Sequence, residues 1–159
     1  FYEVNELDAL GFQGYYNLKT SLENDEDVKI YSMIDSRKEK IYCAGYETSS
    51  ENKLKLIKNY EVTKLDSVIE EIIENKENNK KVYLIGDAVF NYKVKILDKL
   101  GSCVKIFEDK NLTINTMTFV QMLLDKNLEN ASVVRKTDIF NLKPDYLEKS
   151  QAERDKKQC

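Results

Sequence analysis

The spacing of apolar residues predicts three strands in succession in the first half of the chain. The run 28–34 places Val28, Ile30, Ser32 and Ile34 on one face. In the run 53–62, Leu54 and Leu56 alternate with Lys53 and Lys55, a period of two that is typical of strands. The run 40–47 carries apolar residues on both of its faces, which predicts a central strand. No helical pattern separates these segments, and the link DSRKE is short enough for a hairpin.

A helical period of apolar residues follows directly after residue 62. Thr63 and Asp66 resemble a capping box, with Asp in the place of the usual Glu or Gln. The spacing predicts an amphipathic helix that buries one continuous stripe. That stripe comprises Leu65, Val68, Ile69, Ile72 and Ile73.

The second half of the chain alternates between short strands and helices. The apolar runs VYLIGD (82–87) and CVKIF (103–107) predict two further strands. Helices are expected at about 89–100 and 116–127, in addition to one at 5–16 near the start. The apolar faces expected of the two later helices comprise Phe90, Val94, Leu97 and Leu100, and then Phe119, Val120, Leu123 and Leu124.

Three meandering strands followed by helix–strand units form the element order of the ribonuclease-H-like fold, which is also the repeated lobe of the actin, hexokinase and Hsp70 class. We therefore expect an α/β domain with a five-stranded mixed sheet and helices on both faces. The first strand should lie between the second, antiparallel to it, and the fourth, parallel to it. The ends of the first and fourth strands then meet at an edge where open α/β sheets place ligands.

Two acidic residues end those neighbouring strands, Asp35 after Ile34 and Asp87 after Gly86. Neighbouring strands lie about 4.8 Å apart, so the two side chains are expected close together. They suit a magnesium ion or a metal-bound phosphate, since hard cations prefer carboxylate oxygens. The alternative is structural, because Asp is also frequent at turns and helix starts, where it accepts hydrogen bonds from backbone N–H groups.

Gly86, Arg37 and Lys38 adjoin the same edge, and each has two interpretations. A glycine at a strand end permits the close approach of a ligand, and it equally permits a tight turn. Arg37 and Lys38 lie at the predicted hairpin tip. There they could pair with an acidic partner or hold a phosphate, or they could simply be solvated.

Composition narrows the chemistry that is open to the chain. Its 159 residues suffice for one domain, and its formal net charge of −3 disfavours tight binding of nucleic acid by this chain alone. It contains no histidine, which removes the commonest general base and the commonest metal ligand. No apolar run approaches the length of a membrane span.

The three cysteines, Cys43, Cys103 and Cys159, form neither a zinc pattern nor a disulfide framework. Cys43 and Cys103 lie in apolar strand patterns and are expected to be buried and inert thiols. Reduced cysteines of this kind fit a reducing cytosol.

The segment IDSRKEKIY (34–42) places a short polar turn before an acidic, a β-branched and a tyrosine residue. The residues that carry this pattern are Asp35, Arg37, Glu39, Ile41 and Tyr42. The pattern resembles a signature of the TsaB (YeaZ) family, within the glycoprotease-like superfamily, which begins with an Asp-Ala-Arg-like turn. Ser36 stands where that family commonly has Ala.

Three further segments resemble the same family in the same order. LIGDAVFNY (84–92) is similar to its Gly-Asp/Gly segment, and VNELDALG (4–11) is similar to the helix that joins its two lobes. LKPDYLEKSQAE (142–153) resembles its carboxy-terminal motif, although the usual Arg after Tyr-Leu is Glu148 here. The main matching residues of that motif are Pro144, Tyr146 and Leu147.

The resemblance implies a subunit that is not an enzyme on its own. The family supports bacterial synthesis of threonylcarbamoyladenosine in tRNA, in which the TsaD subunit carries the metal and transfers the threonylcarbamoyl group. It implies a TsaD-type partner, a TsaE-type ATPase, a homodimer in isolation, only indirect contact with tRNA and a cytoplasmic location. No cofactor is expected in this chain, while ATP and Mg²⁺ could enter at the level of the complex. The candidate ligand or interface residues are Asp35, Arg37, Tyr42, Gly86 and Asp87.

The same resemblance divides the chain into three parts. Residues 1–17 are expected to be the helix left from an amino-terminal lobe that this chain lacks, 18–128 the ribonuclease-H-like lobe, and 129–159 a tail that docks on it. Without the other lobe, the apolar faces around the first helix should be uncovered. This exposure predicts self-association.

Three other functions stay open. An ATP-handling phosphotransferase or ATPase of the actin class would form its site between two lobes. A ribonuclease-H-like nuclease needs three or four carboxylates around two metals, and the first strand, with KIYSM in its middle, has none there. A glycoprotease-like peptidase would need a Ser-His, Cys-His or HExxH arrangement, which the sequence lacks.

Overall fold

We describe a computed structural model that covers residues 1–19, 27–48, 54–75, 80–107, 113–125 and 134–142. These residues form an α/β domain with one five-stranded mixed sheet and a separate two-stranded ribbon. The predicted class and the size of the sheet are confirmed. The strands of the sheet are β2 (Val28–Asp35), β3 (Lys40–Thr48), β4 (Leu54–Lys64), β5 (Lys81–Ile85) and β6 (Val104–Ile106), and the ribbon joins β1 (Tyr2–Val4) to β7 (Val134–Lys136).

The strand order of the sheet is β4-β3-β2-β5-β6. β2 is antiparallel to β3 on one side and parallel to β5 on the other. β4 continues the antiparallel side beyond β3, and β6 continues the parallel side beyond β5. The predicted junction, with the first strand of the meander between the second and the fourth, is therefore confirmed.

Five helices occur in the described part of the chain, and they cover both faces of the sheet. Ile30 of β2 packs against Gly14 on one face of the sheet. The next residue, Tyr31, points to the opposite face, and on that face Lys58 of β4 lies near it and pairs with Glu71. The helices that carry Gly14 and Glu71 therefore cover opposite faces of the sheet. The helices are α1 (Glu6–Lys19), α2 (Leu65–Glu74), α3 (Asp87–Asn91), α4 (Lys93–Leu100) and α5 (Thr116–Leu124).

The first helix is buried along most of its length, so the prediction of uncovered apolar faces around it is wrong. α1 begins at Glu6, one residue after its predicted start, and Oδ1 of the preceding Asn5 accepts a hydrogen bond from Leu7 N at 2.9 Å. It lies against β2, β3, β4 and β5, and α5 packs against it. The helix therefore belongs to the same packed lobe as the sheet. Its buried apolar residues are Leu7, Ala9, Leu10, Phe12, Tyr15 and Leu18.

The apolar stripe of α2 is confirmed at four positions, while its predicted cap is wrong. Ile73, at the margin of the stripe, is exposed. The helix begins at Leu65 after Lys64, without a side-chain cap, and Thr63 still belongs to β4. The capping pattern fails because β4 runs directly into the helix. The buried positions are Leu65, Val68, Ile69 and Ile72.

The helix predicted at 89–100 is divided at Tyr92 into α3 and α4, and its predicted buried face is mostly wrong. Of the four predicted residues, only Leu100 is buried, and the other three are exposed. The segment carries two adjacent apolar stripes, and helical spacing alone does not say which one faces the sheet. The buried residues are Ala88, Val89, Ile96 and Leu100.

The predicted apolar face of α5 is also mostly wrong. Its buried residues are Thr118 and Met122, whereas Phe119 is only partly buried. The remaining predicted residues are exposed; they are Val120, Leu123 and Leu124. Among the cysteines, Cys43 is buried as expected, but Cys103 is exposed, since it lies in a short 3-10 turn before β6.

Candidate functional site

The edge formed by β2 and β5 brings together two residues that lie far apart in the sequence. Asp35 is the last residue of β2, and Asp87 begins α3 just beyond β5. The backbone N–H of Asp35 donates a hydrogen bond of 2.9 Å to Asp87 Oδ1. The expected meeting of the two residues at one edge is therefore present. The Asp87 carboxylate serves here to fasten the end of β2 to the start of α3.

The carboxylate of Asp35 accepts hydrogen bonds at both oxygens. Arg37 N donates to its Oδ1 at 2.7 Å, Tyr92 Oη donates to the same atom at 3.1 Å, and Asn91 Nδ2 donates to Oδ2 at 2.9 Å. Partial burial alone would raise the pKa of Asp35, but these donors together hold it below its ordinary value. The ionised carboxylate thus joins the hairpin to the α3–α4 segment, and this geometry favours the structural interpretation of Asp35.

Gly86 lies where the chain passes very close to the backbone of β2. Its φ of 119° and ψ of 168° lie in a region that is open essentially only to glycine. A Cβ at this position would lie 2.0 Å from the carbonyl oxygen of Met33. The close approach that requires glycine is therefore made by β2 itself. Of its two interpretations, the structure supports the tight turn.

The tip of the β2–β3 hairpin holds an unusual backbone conformation. Arg37, Lys38 and Glu39 have φ values of 67°, 53° and 58°, so three consecutive residues other than glycine lie in the left-handed region, each at a cost of about 1 kcal/mol or more. Lys40 N donates to Arg37 O at 3.1 Å, and Leu65 N donates to Glu39 O at 2.9 Å. The second bond attaches the tip to the first residue of α2.

An ion-pair network extends these attachments to α4. Lys95 Nζ lies 3.0 Å from Glu39 Oε2 and 3.0 Å from Asp66 Oδ2, and Lys99 Nζ lies 2.8 Å from Asp66 Oδ1. The hydrogen bonds from Lys99 and Lys95 lower the pKa of Asp66, which remains fully ionised near neutral pH. Asp66 therefore joins α2 to α4, a different role from the capping box that its position suggested.

An open groove of about 420 Å³ lies beside this network. Its walls combine an amide, a phenol, both signs of charge and one apolar side chain. Within the described residues, no cluster of three or more His, Cys, Asp or Glu side chains is arranged to hold a metal ion. The lining residues are Glu39, Asn91, Tyr92, Val94, Lys95, Asp98 and Lys99.

Of the other residues singled out from the sequence, one lies on the strand beside this edge and the rest lie outside the described residues. Tyr42 is half-buried on β3, between Ile34 of β2 and Val62 of β4. The carboxy-terminal motif residues Pro144, Tyr146 and Leu147, together with Glu148 and Cys159, lie outside the described residues. Residues 134–136 of the tail pair with β1, and the division of the chain into three parts stays a prediction.

A buried carboxylate on α1 was missed by the sequence analysis. Asp8 is 2% exposed, and Tyr46 Oη and Tyr60 Oη each donate to one of its oxygens at 2.8 Å. Burial raises the pKa of Asp8, although the two phenols and the positive charge of Arg135 oppose the rise. In the sequence, this Asp lies between the inward-facing residues Leu7 and Leu10, which indicates burial. Its hydrogen-bond partners, however, come from β3 and β4.

Comparison with known proteins adds no family assignment. No protein-family model matches the chain, and no curated protein matches it. None of the described helices is long and apolar enough to cross a membrane. The resemblance to the TsaB family therefore rests on the motif residues quoted above.

Proposed function

We propose that this chain is a non-catalytic partner subunit of the TsaB type, which supports a TsaD-type enzyme in the synthesis of threonylcarbamoyladenosine in tRNA. Its lobe would have the ribonuclease-H-like topology of the actin, hexokinase and Hsp70 class, and it would act in the cytoplasm. The TsaD-type subunit would supply the metal and the chemistry, with a TsaE-type ATPase in the same assembly. Contact of this chain with tRNA would be indirect.

The strand order supports the topological part of this proposal. A three-stranded antiparallel meander whose first strand also pairs in parallel with the fourth is the arrangement expected for that lobe. The same order puts the residues of the family-like turn, Asp35 and Arg37, next to the Gly86-Asp87 segment. Two of the sequence motifs that suggest the family thus meet at one edge.

The single observation that carries the non-catalytic part is the bonding of Asp35. Both of its carboxylate oxygens accept hydrogen bonds from the chain itself, and Asp87 is bonded to the backbone of Asp35. These bonds use three of the roughly four lone-pair positions of the Asp35 carboxylate, so few remain for a substrate proton or a metal ion. The bonded carboxylate stabilises the shape of this edge, as suits a subunit that acts by contact.

The proposal is tested by reconstitution. The full-length protein is combined with the TsaD-type and TsaE-type subunits of the same organism, tRNA, ATP, Mg²⁺ and a threonylcarbamoyl donor, and the modified nucleoside is quantified by mass spectrometry. Omission of this chain should abolish most of the product. Asp35→Asn should reduce complex formation, whereas the exposed control Asp98→Asn should not. A product yield independent of this chain would contradict the proposal.

The groove beside Tyr92 favours one alternative, an ATP-handling lobe of the actin class. It has a volume of about 420 Å³ and includes Asn91, Lys95 and Lys99, side chains that can contact a base or phosphates. A rise of several degrees in the melting temperature with Mg²⁺–ATP, lost in Lys95→Met, would favour this alternative. An unchanged melting temperature would favour the partner subunit.

A further inference from the structure

Four exposed cations lie close together at the end of the sheet that carries the β2–β3 hairpin. Arg37, Lys38 and Lys40 belong to the hairpin, and Lys64 is directly opposite Lys40 in the β3–β4 register. We call these four residues the cationic tip. Its charge contrasts with the net charge of −3 of the whole chain.

The carboxylates nearest to the cationic tip are engaged on its inner side. Glu39 and Asp66 pair with Lys95, and Asp66 also pairs with Lys99. The oxygens of Asp35 accept hydrogen bonds from Arg37 N, Asn91 and Tyr92. Among the residues that the structure describes, no carboxylate forms an ion pair with the side chains of Arg37, Lys38 or Lys64. All three residues are exposed, and the charge of Arg37 also stabilises the ionised carboxylate of Asp35.

The backbone of the cationic tip is held in place before any partner arrives. Three consecutive left-handed residues persist there because Glu39 O accepts from Leu65 N at 2.9 Å and Asp35 Oδ1 accepts from Arg37 N at 2.7 Å. Strained backbone that the surrounding structure over-determines is common at binding surfaces. A preformed turn loses little conformational freedom on binding.

We propose that the cationic tip is a docking surface for an acidic segment of a partner protein. A protein segment is favoured over RNA because an extended polyanion would also meet the acidic remainder of the chain, whereas a short acidic segment touches only the tip. Arg37 is suited to bidentate contact with a carboxylate, and the lysines supply further donors. This docking surface is independent of the function proposed above, since it requires no TsaD-type subunit.

The experiment uses the full chain, labelled with ¹⁵N, and a short synthetic peptide rich in Glu and Asp as the probe. Titration at low salt, followed by amide chemical shifts and by fluorescence anisotropy of the labelled peptide, should place the largest shifts at 36–40 and at Lys64. Arg37→Gln combined with Lys38→Gln should weaken binding about tenfold. The matched control, Lys55→Gln with Lys136→Gln, removes the same charge from exposed positions on β4 and β7 and should bind like the wild type.

Two further measurements distinguish the proposal from its alternatives. Lys64→Gln lies outside the strained turn and should weaken binding about threefold with an unchanged melting temperature, which separates lost charge from a lost fold. A single-stranded oligouridylate is titrated in parallel. Any one of three results would overturn the proposal. They are equal weakening of binding by the tip and control variants, no binding of the peptide at low salt, and binding of the oligouridylate that depends on the tip and is tighter than that of the peptide.

Discussion

Gly86 shows how a missing Cβ permits the close approach of two chain segments at the centre of the sheet. We predict that Gly86→Ala lowers the free energy of unfolding by at least about 3 kcal/mol, because the new Cβ would lie 2.0 Å from Met33 O and the φ of 119° disfavours alanine. Urea unfolding at equilibrium measures the change. Gly101→Ala is the matched control, since its φ is 53° and nothing lies within 4 Å of the added Cβ. The control should cost only about 1 kcal/mol, and equal losses would refute the steric argument.

Asp8 should make the stability of the protein depend on pH in an unusual direction. Its pKa in the folded state is raised above the ordinary value of 3.8, so the folded state holds the proton more tightly than the unfolded state. Its contribution is therefore fully present below pH 3.8 and is lost as the pH rises through the folded pKa.

We predict that Asp8→Asn removes this component of the pH dependence. The difference in the free energy of unfolding between wild type and variant, measured by urea unfolding from about pH 4 to pH 7, should shift in favour of the variant as the pH rises. Asp98→Asn, at an exposed position of α4, is the control. A difference that does not change with pH would show that Asp8 titrates normally.

Single residues were predictable where their neighbours are local or where strand ends define them. Asp35 and Asp87 could be placed together because each ends or follows a recognisable strand, and the strand order joins those ends. Asp8 could not, because its hydrogen-bond partners Tyr46 and Tyr60 approach from β3 and β4. Nothing in the sequence around Asp8 specifies those contacts.

Among the elements, α5 is attached to α1 at its start by the buried amide of Gln13 and at its end by Tyr16, whose Oη donates to Asp125 Oδ2 at 3.4 Å. Gln13 Oε1 accepts from Asn115 N at 2.6 Å and from Thr118 Oγ1 at 3.0 Å, and Gln13 Nε2 donates to Thr113 O at 2.8 Å. These bonds explain why Thr118, a polar residue, faces inward while Val120 and Leu123 are exposed. An anchor of this kind leaves no trace in the apolar period of the helix.

We predict that Gln13→Ala lowers the free energy of unfolding by about 2–4 kcal/mol, because it leaves three polar groups without their partner. Hydrogen exchange at the amides of α5 should accelerate more than exchange in β2 or β3. Gln121→Ala makes the same change at an exposed position of α5 and should cost less than about 0.5 kcal/mol. Uniform acceleration across all elements would contradict a local role for Gln13.

The two-stranded ribbon could not be predicted from local patterns in the sequence. β1 and β7 are three residues each, too short to show a period, and they pair across almost the whole chain, as in Tyr2 with Lys136. The strands of the sheet were predictable from their own residues, β2 and β4 from alternation, β3 from a run that is apolar on both faces, and the short β5 and β6 from continuous apolar runs. The ribbon has no such local signal, and its two strands are far apart in the sequence.

At the scale of the whole molecule, self-association stays a prediction. The exposed apolar surface that would mediate it lies on the α3–α4 segment and not around α1. Phe90 is 57% exposed and Val94 is 76% exposed, and Leu97 lies beside them. We predict that Val94→Ser combined with Leu97→Ser weakens association about tenfold or more, because burial of such side chains drives oligomer formation. Sedimentation velocity over a range of concentrations measures it.

A monodisperse wild-type monomer at high concentration would contradict this prediction. Lys93→Ser with Asp98→Ser is a suitable control, because it changes two exposed polar residues of the same helix and leaves the net charge unchanged. The control should associate like the wild type. Similar weakening by both pairs would indicate that charge at this surface, and not its apolar character, controls association.

The β1–β7 ribbon has a consequence for the order of events during folding. Joining Tyr2 to Lys136 directly in the unfolded chain would close a very long loop at a large entropic cost, whereas the meander of β2, β3 and β4 needs only short closures. Once the sheet and α1 have assembled, the same two segments are already neighbours, and pairing them costs little additional conformational entropy. The ribbon should therefore acquire protection last in a pulse-labelling refolding experiment, and lose it first when the protein is warmed.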